Sequence, residues 1–231
     1  MHGVRGIFSN PVYLAEAGVG RATAQLLAST NERAGAKCLD VGCGTAPYHG
    51  LLPSVEWVGV DVPHSGRPAH LKAPHLFYDG VRLPFADGTM AGVLCTQVLE
   101  HAKSVEPLIE EMFRVLRPGG WCMISVPMAW EEHEIPDDFR RFTAFGLVRT
   151  LRSNGFEPDR VIRVGGSYET LAQLAANAAY SNYASAFRRG GRVLTALVCA
   201  PLQIAGMLLQ RVLPDAGTLY LNVAILARKS Q

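Results

Sequence analysis

An α/β fold with a parallel sheet is predicted by two features of this 231-residue sequence. Short apolar segments of strand character recur along the chain, and each is followed by a loop or by a helical pattern. Strands that alternate with helices favour a parallel sheet joined by right-handed crossovers. The predicted strands are KCLDVG at 37–42, WVGVDV at 57–62, AGVLCTQ at 91–97, WCMISVP at 121–127, the segment 159–164 and TLYLNVAILARK at 218–229.

Three segments carry the apolar spacing that is typical of helices. The first spans residues 12–29. The second, 104–117, has Ser104 as its predicted cap, and the tripeptide Pro-Gly-Gly that follows is expected to stop it. The third, 143–154, begins at a threonine that can cap it and is followed by a glycine. These helices are expected to connect and cover the strands.

The length of the chain and its 48% hydrophobic content allow one sizeable core. We therefore expect a single domain over residues 1–231, with an unusual insertion before the last strand. Its predicted parts are an N-terminal helical segment 1–35, a core 36–166, an apolar and basic helical insertion 167–217 and the last strand 218–229.

Charge is distributed unevenly along the sequence. Residues 1–139 carry 10 lysines and arginines against 16 acidic residues, a net charge of −6, whereas residues 140–231 carry 12 against 4, a net charge of +8. A basic half favours an anionic partner, such as a phosphate-bearing substrate or an anionic membrane surface. The basic residues do not form a run with interleaved aromatics, so no nucleic-acid partner is predicted.

The five cysteines are odd in number and lack the paired spacing of zinc sites, so no metal site is predicted. At least three lie in strand-like apolar surroundings, which indicates buried, reduced thiols in a cytoplasmic protein. The N-terminus lacks the apolar core of a signal peptide, so export is not expected.

The insertion contains a long stretch that is almost free of charge. No charged residue occurs between Val193 and Gln210, an 18-residue segment that barely reaches the length needed to span a bilayer. Pro201 and Gln203 interrupt it. We favour a pair of helices that pack on the domain, on a second subunit of a homodimer, or on the inner face of a membrane, and a full transmembrane span stays as the alternative. After Glu169, the charged residues of 170–210 are Arg188, Arg189 and Arg192.

A glycine-rich turn follows the first strand, in DVGCGTA at 40–46. Glycines let the backbone approach a ligand closely because no Cβ intervenes. Asp61 ends the second strand, 21 residues after Asp40, where an acidic side chain can accept hydrogen bonds from ribose hydroxyls. Asp61 could instead be a turn residue that caps the next helix. Together, the turn and the aspartate favour a nucleoside cofactor.

These segments carry a family resemblance. CLDVGCGTAPY, WVGVDV, YDGVRLPFADGTMAGVLCTQVLEH and RVLRPGGWCMISVP resemble successive motifs of class I S-adenosylmethionine-dependent methyltransferases of the type 11 group. The resemblance covers residues 36–165. It implies a Rossmann-like seven-stranded sheet with helices on both faces, and S-adenosyl-L-methionine bound across the carboxyl ends of the strands, with S-adenosyl-L-homocysteine as its product.

The resemblance also implies which residues contact the cofactor. The turn after the first strand would hold the methionine part, Asp61 would accept from the ribose hydroxyls with Val62 beside the adenine, and Gln97 would lie near the sulfonium. Asp79 would meet the adenine amino group with Gly80 nearby, although Asp79 could simply form the turn before that glycine. The residues of the turn are Asp40, Gly42, Cys43 and Gly44.

One departure from the family pattern lies at Ala91-Gly92, where an aromatic residue and an aspartate are usual. The aromatic side chain normally packs at this point. Local packing beside the fourth strand is therefore expected to differ, without an effect on the cofactor.

Two histidines are candidate general bases, because imidazole titrates near neutral pH and methyl transfer to a hydroxyl releases a proton. His101 follows the strand at 91–97, and His133 follows the strand at 121–127. Both are placed where the carboxyl ends of the strands should lie. Either histidine could instead only brace its loop.

The segment HEIPDDFRRFT, residues 133–143, resembles a motif of a subset of these enzymes that is often linked to cell-envelope polysaccharide or other sugar-containing products. Phe139 and Arg140 replace a tyrosine and a tryptophan of the motif. The resemblance implies a lid over the sulfonium and contacts to the acceptor from Glu134, Asp138 and Arg141. The alternative is a purely structural role for this loop, in which Asp138 pairs with Arg141 at i,i+3 and Thr143 caps the next helix.

The predicted function is therefore S-adenosylmethionine-dependent methylation of an oxygen on a small or lipid-linked acceptor that contains a sugar. Two alternatives belong to other classes. One is a partner subunit that binds the cofactor without catalysis, and the other is a membrane-peripheral assembly factor that acts through the apolar C-terminal helices.

Overall fold

The computed structural model describes residues 4–63, 72, 74–183 and 191–230. Seven strands form one sheet in the order β3-β2-β1-β4-β5-β7-β6, so the predicted seven-stranded α/β fold is confirmed. The predicted positions Arg188 and Arg189 lie outside the described residues. The strands are β1 Lys37–Val41, β2 Glu56–Asp61, β3 Leu76–Phe77, β4 Met90–Thr96, β5 Leu116–Pro127, β6 Phe156–Val164 and β7 Asn222–Lys229.

The central strands run parallel and end at one edge of the sheet. β1 pairs in parallel with both β2 and β4, and β4 pairs in parallel with β5. In this register Val41 lies beside Val60 and Cys95, and Thr96 lies beside Ser125. The loops after β1, β4 and β5 therefore meet at the same edge of the sheet.

The two-residue strand β3 was not predicted, and the last strand begins at Asn222, later than the predicted start at 218. β3 is a short, exposed segment, so it has no apolar run by which it could be recognised. The helices are α1 Tyr13–Leu27, α2 Val105–Val115, α3 Ala144–Ser153, α4 Ser167–Tyr183, α5 Gly191–Leu194 and α6 Ala200–Val212.

Helix α2 differs from the prediction at both ends. Ser104 stands at the N-cap position, but its side chain makes no capping hydrogen bond. The helix ends at Val115 because Leu116 is extended and pairs with Met90, so the Pro-Gly-Gly turn lies inside β5 and does not end the helix. The irregular β4–β5 register between Met90 and Gly92 accommodates these extra residues.

Helix α3 begins as predicted. The Oγ1 atom of Thr143 accepts a hydrogen bond from the backbone N–H of Gly146 at 3.0 Å, which satisfies one of the free donors of the first turn. Gly155 follows the helix with φ +85°, a conformation that glycine adopts without steric cost. The loop after β5 therefore has a fixed end point.

The departure at Ala91-Gly92 has a packing explanation. A Cβ atom added to Gly92 would overlap the indole ring of Trp121, which is fully buried. Trp121 lies on the neighbouring strand β5 and fills the space beside β4. Its ring packs edge to face against Trp57, with 6.3 Å between the ring centroids. The expected difference in local packing is therefore the placement of a tryptophan over a glycine.

The chain divides into two compact units. The helical unit comprises Met1–Arg21, Met128–Glu131 and Arg163–Asn222, and the sheet unit comprises Ala22–Pro127, Glu132–Ile162 and Val223–Gln231. The insertion thus groups with the N-terminal segment.

In the helical unit, α5, a π-helical turn at Thr195–Cys199 and α6 form one continuous helical stretch, Gly191–Val212. Within the described residues it is the stretch that is long and apolar enough to cross a membrane by length and composition alone, and 28% of its apolar window is buried. Gln203 is fully buried on it and donates a hydrogen bond to the carbonyl of Pro11. Gly206 lies against Ala172 of α4, where no Cβ would fit.

Candidate active site

The turn after β1 is held against β2. The backbone N–H groups of Gly42 and Cys43 both donate to the carbonyl of Val60, at 2.8 and 3.1 Å. Gly42 has φ +66°, and a Cβ atom at this position would overlap the side chain of Val98. Only glycine fits here, because both the backbone conformation and the free space exclude a side chain. The turn therefore has a fixed backbone conformation at the edge of the sheet.

Asp40 is buried below this turn, with 1% of its surface exposed. Its Oδ2 atom lies 2.9 Å from Nε2 of His49, whose ring stacks on Trp57. The other oxygen, Oδ1, is buried without a hydrogen-bond partner. Burial raises the pKa of Asp40, and the bond to His49 opposes that shift. An unsatisfied acceptor of this kind suits a ligand that brings a donor, such as an ammonium group.

His49 is not among the site residues predicted from the sequence. The signal that could have found it is the spacing of nine residues from Asp40 across the glycine turn, which folds the histidine back toward the aspartate.

Asp61 ends β2 and is also buried. Its Oδ2 atom accepts from the N–H of Gly44 at 2.9 Å, and its Oδ1 atom accepts from the N–H of Val62 at 2.7 Å and from Nζ of Lys72 at 3.0 Å. A carboxylate offers about four acceptor positions, and three are filled here, so one remains for a ribose hydroxyl while Lys72 stays in place. Lys72 is a second residue that the sequence analysis missed.

The expected adenine side is more open. Asp79 is exposed, and its Oδ1 atom accepts from the N–H groups of Val81 and Arg82 at 2.8 and 2.9 Å. These backbone donors lower the pKa of Asp79. The turn-forming role is therefore present, while the adenine contact stays a prediction. Gly80, with φ +81°, packs beside Val62, the other residue expected there.

Gln97 joins the ends of β4 and β5. Its backbone N–H donates to the carbonyl of Ser125 at 2.8 Å, and its Nε2 atom donates to the Oγ atom of Ser125 at 3.2 Å. Gln97 has a backbone φ of +56°, which is uncommon for any residue other than glycine. Strain of this kind concentrates at functional sites.

The loops after β4 and β5 are fastened to each other. Nδ1 of His101 donates to the carbonyl of Asp137 at 2.6 Å, and the N–H of Phe139 donates to the carbonyl of Glu100 at 2.9 Å. Arg140, which replaces the tryptophan of the motif, donates to the carbonyls of Ala102 and Lys103. The substitution therefore provides donors that hold the two loops together.

His101 and His133 stand ring to ring, with centroids 4.7 Å apart and the planes at 79°. Nδ1 of His133 lies 3.0 Å from Oδ2 of Asp138, and the same oxygen accepts from the N–H of His133 at 2.9 Å. The guanidinium of Arg141 donates hydrogen bonds to both carboxylate oxygens of Asp138, so the predicted i,i+3 pair is present. The Arg141 guanidinium holds the pKa of Asp138 well below its usual range. Direct contact of Asp138 or Arg141 with an acceptor stays a prediction.

Two carboxylates complete this group. Glu100 is fully buried, and neither of its oxygens has a hydrogen-bond partner, so burial raises its pKa to about 8. Glu134 is partly exposed and has φ +52°, and its Oε2 atom lies 4.0 Å from Nε2 of His101. The structure therefore brings the two candidate bases together with Glu134, and it adds Glu100, which is not among the predicted site residues.

The residues at this edge fit S-adenosyl-L-methionine. The buried Oδ1 atom of Asp40 has an unfilled acceptor position, and open space surrounds the position that a Cβ atom of Gly44 would take in the glycine turn. Both features suit the charged methionine end of the cofactor, with Asp61 placed for its ribose. The fit is looser at Asp79, whose accepting oxygen is engaged by its own turn.

The chain resembles known proteins in sequence over this same region. Residues 39–124 match the family model described as Methyltransferase domain. A tRNA (carboxymethyluridine(34)-5-O)-methyltransferase of Arabidopsis thaliana is 33% identical over 107 residues, which are 42% of this chain and 26% of the relative. The matches span 26% to 39% of the length of the first curated relatives.

Solved structures share the fold over most of the chain. The [4+2]-cyclase SpnF superposes with a TM-score of 0.61 at 21% identity, over 91% of this chain and 81% of its own. Phosphoethanolamine N-methyltransferase 2 of Haemonchus contortus, in complex with S-adenosyl-L-methionine, gives 0.58 at 15% identity, over 91% and 53%. One neighbour is named as a cyclase, so the fold by itself does not define the reaction.

Proposed function

We propose that this chain is a class I S-adenosylmethionine-dependent methyltransferase and that it methylates an oxygen of a small or lipid-linked acceptor that contains a sugar. The observation that carries the proposal is the pairing of two sites at one edge of the sheet. The first is the glycine turn with the unsatisfied oxygen of Asp40, and the second is the pair of histidines His101 and His133.

The chain's own groups would hold S-adenosyl-L-methionine by three contacts. Asp40 and the backbone at Gly42 and Gly44 would bind the methionine end, and Asp61 would bind the ribose. Gln97, fixed at the end of β4 by Ser125, would line the methionine side. When bound, the cofactor supplies a methyl group on a positively charged sulfur, which is already activated for displacement.

The protein has then to orient the acceptor and to remove its proton. The acceptor oxygen would receive the methyl group that the bound cofactor supplies, and the cofactor would leave as S-adenosyl-L-homocysteine. The hydroxyl proton would leave to a base. His101 carries its hydrogen on Nδ1, because a carbonyl oxygen can only accept, so Nε2 of the neutral ring has the lone pair that can take a proton.

Three observations support an oxygen-bearing, polar acceptor. The loop after β5 carries partly exposed polar groups, among them His133 and Glu134, beside the candidate base. Its backbone is fastened by hydrogen bonds, so these groups are presented in a fixed arrangement. The name of the Arabidopsis relative also describes methylation of an oxygen.

The helical stretch Gly191–Val212 supports a lipid-linked acceptor and a peripheral position on an inner membrane face. Its buried positions lie on one side, and Gln203 on that side binds the N-terminal segment, as a helix packed on protein would. The other side is apolar and exposed, with Leu197 71% and Val212 74% accessible. Arg192 and Arg211 flank it and match anionic lipid head groups. We therefore favour an interfacial helix over a transmembrane span.

The comparisons do not favour the alternative of a non-catalytic partner subunit, because the matching family and the curated relatives are methyltransferases. The assembly-factor alternative requires that the membrane face acts without methyl transfer. Detection of a methylated product would therefore favour the enzyme over the assembly factor.

Cofactor titration and product analysis test the proposal. Isothermal titration should show S-adenosyl-L-homocysteine binding that Asp61→Ala weakens at least about tenfold, since one good hydrogen-bonded contact is worth about 1.4 kcal/mol or more. Labelled S-adenosyl-L-methionine with fractionated host extract should yield a labelled product whose methyl group is on oxygen. Absent binding, or binding unchanged in Asp61→Ala, would refute the cofactor site. A product methylated on nitrogen or carbon would refute the acceptor class.

Liposome flotation tests the membrane position. The variant Leu197→Glu/Val212→Glu should stay in the soluble fraction with vesicles that contain anionic lipid, whereas the wild-type protein should float. Val161→Glu is the matched control, because Val161 is also an exposed apolar residue, at 44%, but lies on β6. Equal flotation of all three proteins would contradict the proposal.

A further inference from the structure

We propose that Glu100, His101 and His133 bind a divalent transition-metal ion of the zinc class. These three residues offer one carboxylate oxygen and two imidazole nitrogens, and the ligand atoms all lie within 4.8 Å of one another. Glu100 is buried and the two histidines are half-buried. Neither the family match nor the named relatives assigns a metal to these side chains.

The buried carboxyl group of Glu100 is the first argument. It is fully inaccessible to solvent, and both of its oxygens lack a hydrogen-bond partner. Buried polar groups in native proteins are nearly always satisfied, and an exception calls for an explanation such as a bound ion. An ion held between Glu100 and the nearby histidines would satisfy this carboxylate.

The orientation of His101 is the second argument. Because Nδ1 donates to the carbonyl of Asp137, Nε2 is the atom that can ligate, and it lies 4.0 Å from Oε1 of Glu100 and 4.0 Å from Oε2 of Glu134. Histidines that bind metals typically donate their other N–H to a carbonyl or carboxylate in this way. Glu134 is therefore an acidic neighbour of His101, although it stands outside the cluster of three.

His133 repeats the arrangement. Its Nδ1 atom faces the carboxylate of Asp138, which Arg141 holds by two short hydrogen bonds of 2.6 and 2.7 Å. A carboxylate behind an imidazole fixes the ring and increases its basicity toward a metal. Two histidines from two different loops are thus each oriented by an oxygen of the loop after β5, the carbonyl of Asp137 for His101 and the carboxylate of Asp138 for His133.

The distances fit an ion after a small contraction. Bonds of zinc to nitrogen and oxygen are about 2.0–2.2 Å, so two ligand atoms on one tetrahedral ion stand about 3.3–3.6 Å apart. The 4.0 Å distance between Nε2 of His101 and Oε1 of Glu100 would therefore have to shorten by about 0.5 Å. Two imidazoles with carboxylates suit zinc, iron or manganese, whereas magnesium and calcium prefer oxygen ligands alone.

A bound ion would change the chemistry of the site. It would lower the pKa of an acceptor hydroxyl that coordinates it, so that the proton could leave to water without a histidine base. This consequence rests on the proposed function, but binding of the metal does not.

Metal titration of tag-free protein, dialysed first against a chelator, tests the site. We expect one equivalent of Zn²⁺ by isothermal titration, and a visible absorption band when Co²⁺ is the probe. Glu100→Gln and His133→Ala should each weaken binding at least about 100-fold, since each removes a ligand. His75→Ala is the matched control and should bind as the wild type does, because His75 lies outside the cluster and accepts from the N–H of Gly59.

Circular dichroism and titration with S-adenosyl-L-homocysteine on the same samples identify variants that have failed to fold. If one of the two ligand variants does not fold, the other decides the result. Absent one-to-one uptake, or Zn²⁺ affinity unchanged in a folded ligand variant, would overturn the proposal and would indicate a protonated Glu100. Metal binding without cofactor binding would support this site while the proposed function failed.

Discussion

Asp138 and Arg141 form a bidentate ion pair inside the loop after β5. Nη1 of Arg141 lies 2.6 Å from Oδ1 of Asp138, and Nη2 lies 2.7 Å from Oδ2. The aspartate side chain is only 2% exposed, and it also accepts from the N–H of His133. The pair therefore links the middle of the loop to its first histidine. It makes the loop a prearranged part of the site, which a solvated loop would not be.

Replacement of Asp138 should destabilise the protein. Asp138→Asn removes the charge that satisfies Arg141 and weakens the support of His133, so we expect the free energy of unfolding to fall by about 2–4 kcal/mol. Urea denaturation measures this loss. Asp137→Asn is the control, because Asp137 joins the loop contacts through its backbone, and it should change stability by less than about 0.5 kcal/mol. Equal losses in both variants would contradict the prediction.

Gly42→Ala should impair cofactor binding. The added methyl group would overlap Val98, and alanine at φ +66° carries a backbone penalty of about 1–2 kcal/mol. We expect the Kd for S-adenosyl-L-homocysteine to rise at least about tenfold, measured by isothermal titration. Gly50→Ala provides the comparison, since nothing lies within 4 Å of the position of its Cβ. A Kd within twofold of wild type for Gly42→Ala would show that the turn does not need a bare backbone.

Gly92→Ala should destabilise the sheet by overpacking, because its methyl group would overlap the ring of Trp121. Overpacking in a close-packed core costs about 1–3 kcal/mol. The double variant Gly92→Ala/Trp121→Leu should lose less stability than the two single changes summed, since the smaller side chain makes room for the methyl group. Thermal unfolding of the four proteins measures the coupling, and strict additivity would refute the packing explanation.

Glu111 should make stability depend on acid pH. Its hydrogen bonds with Arg114 lower the pKa of the Glu111 carboxyl in the folded protein. A depressed folded-state pKa gives stability that is fully present above the unfolded value of about 4.3 and is lost as pH falls through the folded value. The stability lost in Glu111→Gln should therefore be largest near pH 6.5 and should shrink below about pH 4.

Urea denaturation at pH 6.5 and pH 3.0 measures this difference. Glu110→Gln, a change to the exposed neighbouring side chain on the same helix, should show no comparable pH dependence. A loss in Glu111→Gln that was equal at both pH values would show that the ion pair does not contribute.

Much of the sheet unit could be predicted from local sequence. The segments that form β1, β2, β4 and β5 are short apolar runs, which are typical of buried strands. The turn after β1 is recognisable because glycines follow directly after such a strand. β3 was missed because two exposed residues carry no periodic signal. The end of α2 was misplaced because pairing of Leu116 with Met90 outweighed the local Pro-Gly-Gly turn signal.

The α/β class, the predicted cofactor turn and the two candidate histidines could therefore be read from residue types at short spacing. The groups that surround them depend on the three-dimensional fold. It brought His49 to Asp40, Lys72 to Asp61, and Glu100 to the pair of histidines. Contacts between loops depend on how strands align in the sheet, and that alignment is fixed by the packed core and not by neighbours along the chain.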